Sequence, residues 1–300
     1  MVTNDKPARL QRRVFFQCAA ALVLSGSGMT LADVTKPRYR MGLQLYTVRE
    51  PMGRDPVGTL KQARALGYRN FETYGFEPDT VKYYGMPARE FRKVLDDLAL
   101  TTTTGHYDLH QYLAQPAAAM TSYIDRCIEG ALALNQKYIT WAWLDPKSRS
   151  LDSFKLVAER LNLIGAQASR AGLKVAYHNH DFEFLPHDGK IGYDIIMNET
   201  DPGLVKLQLD LFWVAHSSTR TAHELFQRQP GRFVMWHVKD MDETKRYTEL
   251  GNGVIDYTRI MGDAQLAGLE EYFVEQGDNF AVSPMESIEV SAAYASKHLT

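Results

Sequence analysis

Cysteine is almost absent: the 300 residues include two, Cys18 and Cys127. Cys18 lies in a stretch that reads as a removable leader, so Cys127 would stand alone and no internal disulfide would brace the mature chain. A surplus of either charge is lacking too. Lys and Arg total 34 against 36 Asp and Glu, a net charge of −2, whereas a general nucleic-acid binder would carry a basic stripe. The apolar run at residues 19–24 is too short to cross a bilayer as a stable helix. No glycine-rich phosphate loop follows the first strand-like run, which counts against nucleotide binding.

What is present is material for a large core. Hydrophobic residues make up 45% and charged residues 23%, ordinary for a soluble protein of one large domain. The first 33 residues stand apart. Lys6, Arg9, Arg12 and Arg13 precede the short apolar run and then small residues, the layout of an export signal with a cleavage site. Arg12-Arg13 before Val14-Phe15-Phe16 is similar to a bacterial twin-arginine signal, which predicts a periplasmic enzyme with no stable membrane anchor after its removal.

From residue 38 onward, strand-like and helix-like runs alternate. Strands are expected at residues 41–46, 70–74, 100–105, 138–143, 173–178, 205–210, 233–238 and 271–275. Helices are expected at 56–66, 87–98, 120–134, 153–171, 194–199, 222–229, 257–266 and 284–298. Eight such units without a linker predict an α/β fold, a single-domain (β/α)8 TIM barrel over residues 38–300.

In such a barrel the active site forms at the C-terminal strand ends. Those ends carry Tyr46 and Arg49, Glu72, His106, Trp143, His178 with His180, Asp210, His237 with Lys239 and Asp240, and Glu275. Two histidines and two carboxylates on successive strands, His178, Asp210, His237 and Glu275, make a mixed nitrogen and oxygen site suited to Mn²⁺, Co²⁺, Zn²⁺ or Fe²⁺. The fifth-strand ligand stays open among His178, His180 and Glu183. A divalent ion chelating a carbonyl and its neighbouring hydroxyl acidifies the adjacent carbon-bound proton and stabilises an enediolate. Glu275 or His180 is the expected base, with Lys239 polarising an oxygen or assisting protonation, or instead paired with Asp240 or Asp242. Glu72 and His106 are expected to line the pocket as hydrogen-bonding or proton-transfer groups, with Glu72 paired to an arginine as the alternative. Tyr46, Trp141, Trp143, Phe212 and Trp213 are candidates for an aromatic wall under a sugar ring.

The stretches GLQLYTVRE, YHNHDFEF, LDLFWV, WHVKDMDE and GNGVIDY resemble the xylose isomerase-like barrel superfamily, in its sugar phosphate isomerase/epimerase branch. The resemblance implies a divalent metal at the ends of strands five to eight, with Asp210, His237 and Glu275 matching the family's Asp, His and last Glu. Where epimerases have a further Glu, this sequence has His178, a feature shared with inosose dehydratase-like members. The resemblance implies a sugar or cyclitol isomerase or epimerase, with a lyase (dehydratase or glycoside-eliminating) as the alternative. A repair endonuclease and a non-catalytic sugar-binding barrel are the further readings. The partner is a small carbohydrate or cyclitol, not nucleic acid, and assembly into a homo-oligomer is left open.

Overall fold

The computed structural model describes residues 39–299, so the expected export signal lies outside the described residues. Eight strands form one closed parallel barrel: β1 (Met41–Gln44), β2 (Asn70–Thr73), β3 (Thr101–Tyr107), β4 (Tyr138–Trp141), β5 (Lys174–His178), β6 (Val205–Asp210), β7 (Met235–Val238) and β8 (Glu271–Val274). Neighbours pair in chain order, and β1 pairs with both β2 and β8 to close the ring. The (β/α)8 expectation holds.

The two-residue period of a strand sorts side chains onto two surfaces. Along β7, Met235 belongs to a small buried cluster with Tyr138, Ala176, Val234 and Phe273, while Trp236 and Val238 belong to the large core. His237, in step with Met235, therefore points into the barrel above that small cluster. On β8, Phe273 joins the small cluster, and Tyr272 and Val274 join the large core. Burying each large apolar side chain contributes roughly 1.5–3 kcal/mol, so the outer layer under the helices carries most of the hydrophobic stabilisation.

The helices start and stop on local chemistry. Asp55 accepts from the Gly58 amide at the head of α1 (Pro56–Ala65), whose first residue, a proline, needs no donor. Between it and the end of the barrel come α2 (Ala88–Asp97), α3 (Ala117–Ala133), α4 (Leu151–Arg170), α5 (Gly192–Glu199), α6 (Ala222–Arg228) and α7 (Ala264–Ala267). Ser150 caps α4, and Gly172, at φ 77°, turns the chain into β5 in a conformation that favours glycine. Ser283 caps the last helix, α8 (Pro284–His298), which has the expected bounds.

Most bounds shift by one to three residues from expectation, and three departures have a local cause. The first strand stops at Gln44 because its side-chain oxygen accepts from the Tyr46 amide at 3.1 Å and starts a tight turn, Leu45–Val48. The third strand runs on to Tyr107, so His106 lies within it; the β2–β3 register shifts at Phe71/Glu72. The helix expected at 257–266 breaks into Tyr257–Met261 and α7 at Gly262-Asp263, where glycine weakens the helix and the Asp263 carboxylate binds His223 at 3.0 Å. Among the described residues no helix is long and apolar enough to cross a membrane.

Candidate active site

Parallel strands in register bring their C-terminal ends to one rim. Asp210 is the ladder partner of His237, His178 that of Gln208, and Gln44 that of Glu72. The backbone around Asp210 is fastened from both sides. Asn179 accepts from the Asp210 amide at 3.0 Å, and Asp210 Oδ1 accepts from the Phe212 and Trp213 amides at 3.0 and 3.2 Å. His178, Asp210, His237 and Glu275 each offer a ligand atom, and all four atoms lie within 4.8 Å of one another. His178 Nε2 is 3.6 Å from Asp210 Oδ2, and its Nδ1 is buried without a hydrogen-bond partner among the described residues. Of the fifth-strand candidates, His178 is the one that joins this group.

The charges around the cluster are tightly matched. His237 bonds Glu275 Oε2 through Nδ1 at 2.8 Å and Glu72 Oε2 through Nε2. Both acceptors are carboxylates, so both ring nitrogens act as donors. Burial disfavours the charged ring, but Glu72 and Glu275 outweigh it and raise its pKa to about 9. Lys239 Nζ sits 2.5 Å from Asp210 Oδ2 and also contacts Glu275 Oε2. Burial opposes its charge as well, and the two carboxylates more than offset that. For Glu275, burial pushes upward, yet Lys239 and His237 hold the carboxyl well below its ordinary range. Its hydrogen bonds all go to Oε2, leaving Oε1 toward the cavity.

Glu72 is placed differently from expectation. It is fully buried, does not line the cavity above the cluster, and pairs with no arginine among the described residues. Gln44 Nε2 donates to it at 2.7 Å and Gln208 Nε2 at 2.6 Å, and His237 and His106 complete its partners, the latter at 3.2 Å. Although burial favours the neutral acid, the two histidines bring its pKa to about 2. Buried at 0% exposure and bonded through both oxygens, Glu72 orients His237 and His106. The buried amides Gln44 and Gln208 were not anticipated. Their signal was a polar residue at a core-facing position of an apolar strand, which burial permits only when it is paired.

A cavity of ≈ 440 Å³ opens above the cluster, lined by Tyr46, Tyr74, His106, Trp143, His178, His180 and Glu275 among others. His106 and His180 line it as expected. His180 stacks on Phe182 (5.6 Å) and meets Trp143 edge-on (5.1 Å). Burial, with the Lys239 charge nearby, drives the His180 ring well below its ordinary pKa. Glu183 points away: it accepts from the Tyr177 hydroxyl and the His180 amide, both at 2.8 Å. Lys239 does not line the cavity and pairs with neither Asp240 nor Asp242. Asp240 instead gathers the amides of Gly251, Gly253 and Ile255, and a Cβ at Gly253 would stand 2.2 Å from its Oδ1. Of the expected aromatic wall, Tyr46 and Trp143 line the cavity, whereas Trp141 and Phe212 are buried in the core and Trp213 lies outside the lining. Tyr74 takes their place.

The family model described as xylose isomerase-like TIM barrel matches residues 60–280. The chain belongs to that family. An inosose dehydratase of Clostridium perfringens is 28% identical over 156 residues, covering 45% of this chain and 51% of the relative. The chain thus matches about half the length of the curated relatives it resembles. A solved structure described as a sugar phosphate isomerase/epimerase from Parabacteroides distasonis is 26% identical, with a TM-score of 0.76 over 87% of this xylose isomerase-like chain and 94% of its own. A structure of the IOLI protein with a bound zinc atom, 14% identical, shares the fold at a TM-score of 0.65 over 87% of this chain and 99% of that one.

Proposed function

We propose that this protein is a divalent-metal-dependent enzyme that removes the proton beside a carbonyl of a sugar or cyclitol. The observation that carries this is the cluster of His178, Asp210, His237 and Glu275 within 4.8 Å, of which His178 and Glu275 line an open cavity. The residues present fit a metal. Two imidazoles and two carboxylates suit Zn²⁺, Mn²⁺, Co²⁺ or Fe²⁺. The His178 ring has a buried nitrogen with no other partner among the described residues. Two cationic groups, His237 and Lys239, already stand among the carboxylates, the charge that a divalent ion would bring. The zinc in the IOLI structure supports the same reading.

His178, Asp210, His237 and Glu275 would hold the ion, which would supply Lewis-acid polarisation of the substrate carbonyl and its neighbouring hydroxyl. Glu275 is ionised and turns Oε1 to the cavity, so it takes the carbon-bound proton. His180, kept neutral by its surroundings, lines the same space and passes protons to and from substrate oxygens. Lys239 keeps Glu275 ionised, and Glu72 fixes the plane of His237.

Isomerisation or epimerisation is the first reading: the proton returns to the neighbouring carbon or to the same one. An imidazole on the fifth strand leaves the cluster one cavity-facing carboxylate, which favours single-base transfer over a two-carboxylate epimerase. The second reading is elimination of water or of a glycosidic leaving group, favoured by the stretch shared with inosose dehydratases. The proposed compartment is the periplasm, on the strength of residues 1–33. Proton exchange tests the whole reading: metal-loaded protein is incubated in D₂O with ketoses, inososes and keto-glycosides, each free and as its phosphate monoester, and followed by NMR. Deuterium beside the carbonyl with an intact skeleton is expected of an isomerase or epimerase, and loss of water or an aglycone of a lyase. No exchange on any of them, with metal bound, overturns the proposal.

A further inference from the structure

The cavity changes character between floor and mouth. The floor is buried and ionisable; the mouth is aromatic. Tyr46 and Trp143 are 44% and 41% exposed there, and Tyr74 meets Tyr46 edge-on at 5.4 Å. Two arginines lie close, and both brace these rings. The Arg49 guanidinium is 4.5 Å from the Tyr46 centroid and donates to the Tyr46 carbonyl at 3.0 Å. The Arg149 guanidinium is 3.8 Å from the Phe182 centroid and 4.7 Å from that of Trp143, and it donates to the Leu144 carbonyl at 3.1 and 2.9 Å. Neither lines the cavity, and among the described lining residues there is no Lys or Arg. The acidic groups that do line it are Asp108, exposed at the mouth, and Glu275 at the floor.

Such a lining selects by charge. A phosphate monoester carries roughly −1.5 to −2 at neutral pH. Its usual partners are Arg forks, Lys, or a helix N-terminus with free amides. Here a phosphate away from the carbonyl would meet the Asp108 carboxylate and the negative faces of aromatic rings. A sugar or cyclitol ring instead lays its C–H face on an aromatic plane and gives its hydroxyl protons to Asp108 and the histidines. At ≈ 440 Å³ the cavity lies in the lower part of the range for small-molecule sites, roughly 300–1,000 Å³.

We infer that the cavity takes an uncharged, unphosphorylated sugar or cyclitol ketone, stacked on Trp143 and the Tyr46–Tyr74 pair with its carbonyl toward His178 and Glu275. The position of the carbonyl rests on the proposed reaction; the exclusion of phosphate rests on the mouth alone. It also separates this chain from the phosphate in the description of its Parabacteroides neighbour.

Matched pairs test it. Ketohexoses, inososes and methyl keto-glycosides, each beside its phosphate monoester, are titrated into the full-length, metal-loaded protein and followed by saturation-transfer NMR and calorimetry. The neutral member is expected to bind at least tenfold more tightly. Trp143→Ala should lose that binding at least tenfold with metal content unchanged, while Trp143→Phe, which keeps a flat face, retains most of it. Asp108→Lys should narrow the gap by strengthening the phosphorylated members. Phosphorylated ligands that bind as well as neutral ones overturn the inference, and so does a set with no neutral binder. The two proposals fail separately. A protein that stacks neutral sugars without exchanging a proton sinks the reaction and leaves this inference standing. One that exchanges protons only on phosphorylated sugars does the reverse.

Discussion

The two mouths of the barrel are both polar, and they are built on opposite principles. At the N-terminal mouth, Asn70 donates to Thr103 at 3.0 Å, Thr101 donates to Asn70 at 3.1 Å, and Arg40 bridges Thr101 (3.0 Å) and Glu271 (2.6 Å). The donors named have acceptors, and the ion pairs there, Arg40–Glu271 and Lys137–Glu270, open to solvent through their exposed cations. At the C-terminal mouth, Glu72, Asp210 and Glu275 crowd with His237 and Lys239, all buried, and His178 has a ring nitrogen without a partner among the described residues. A satisfied neutral network contributes about 1 kcal/mol per bond and is ordinary structure. Packed, buried charge beside an orphaned imidazole is costly and persists where chemistry needs it.

The sharpest way to break that contrast is Asp210→Asn. The amide keeps Oδ1 for the Phe212 and Trp213 amides, so the turn after β6 survives. Metal content by elemental analysis should fall to background, and proton exchange with it, well beyond the ~10–100-fold that outer partners of a metal site cost. Full metal occupancy in this variant would remove Asp210 from the site.

Paired substitutions compare the mouths directly. Glu72→Gln leaves the charged His237 ring facing an amide in a dry interior and should cost about 3–5 kcal/mol in urea unfolding. Thr103→Val at the other mouth removes neutral hydrogen bonds and should cost about 1–2 kcal/mol. Equal losses would mean that the two polar layers do the same work. Next in size is Lys239→Met. Without an ammonium between Asp210 and Glu275, a divalent ion meets no competing cation, so its affinity should rise about tenfold, or about 1.4 kcal/mol. The metal-free variant should melt earlier than the parent. Calorimetric titration with Zn²⁺ reads the first effect and thermal unfolding the second; weaker metal binding would make Lys239 a supporter of the site and not a stand-in.

Much of this was legible in the chain. Val205–Asp210 and Pro284–His298 have the bounds that periodicity implied, because apolar alternation and a Ser-Pro start speak for themselves. The rim positions of His178, Asp210, His237 and Glu275 followed from reading strand ends. What stayed hidden depends on which way a side chain turns. Lys239 faces Asp210 across strands, not its neighbours Asp240 and Asp242, since adjacent strand residues point to opposite faces. Trp141 faces the helix layer while Trp143, beyond the strand end, turns to the cavity. Glu72 looked like a pocket acid because its four donors come from β1, β3, β6 and β7, which no local window contains.

The last comparison concerns a second buried glutamate, and its sign is opposite to that of Glu72. Glu72 is held near pKa 2, below its ordinary value of 4.5, so its contribution to stability is present above that value and drains away as pH falls toward 2. Glu183, behind His180, has no cation paired with it among the described residues. Burial pushes its carboxyl from 4.5 up to about 8, only partly relieved by the Tyr177 hydroxyl and the His180 amide. Between those two values the folded protein keeps a proton that the unfolded chain has released, so stability falls as pH rises from about 4.5 through 8. Glu183→Gln cannot ionise, and its amide can still accept from His180 while donating to the Tyr177 oxygen. Melting temperatures measured from pH 5 to pH 9 should therefore decline less steeply in the variant, with the two curves closest at pH 5 and the variant the more stable above pH 8. If the parent's curve is no steeper than the variant's, Glu183 is charged in the folded protein, and the uneven charge that separates the two mouths extends one layer deeper, behind His180.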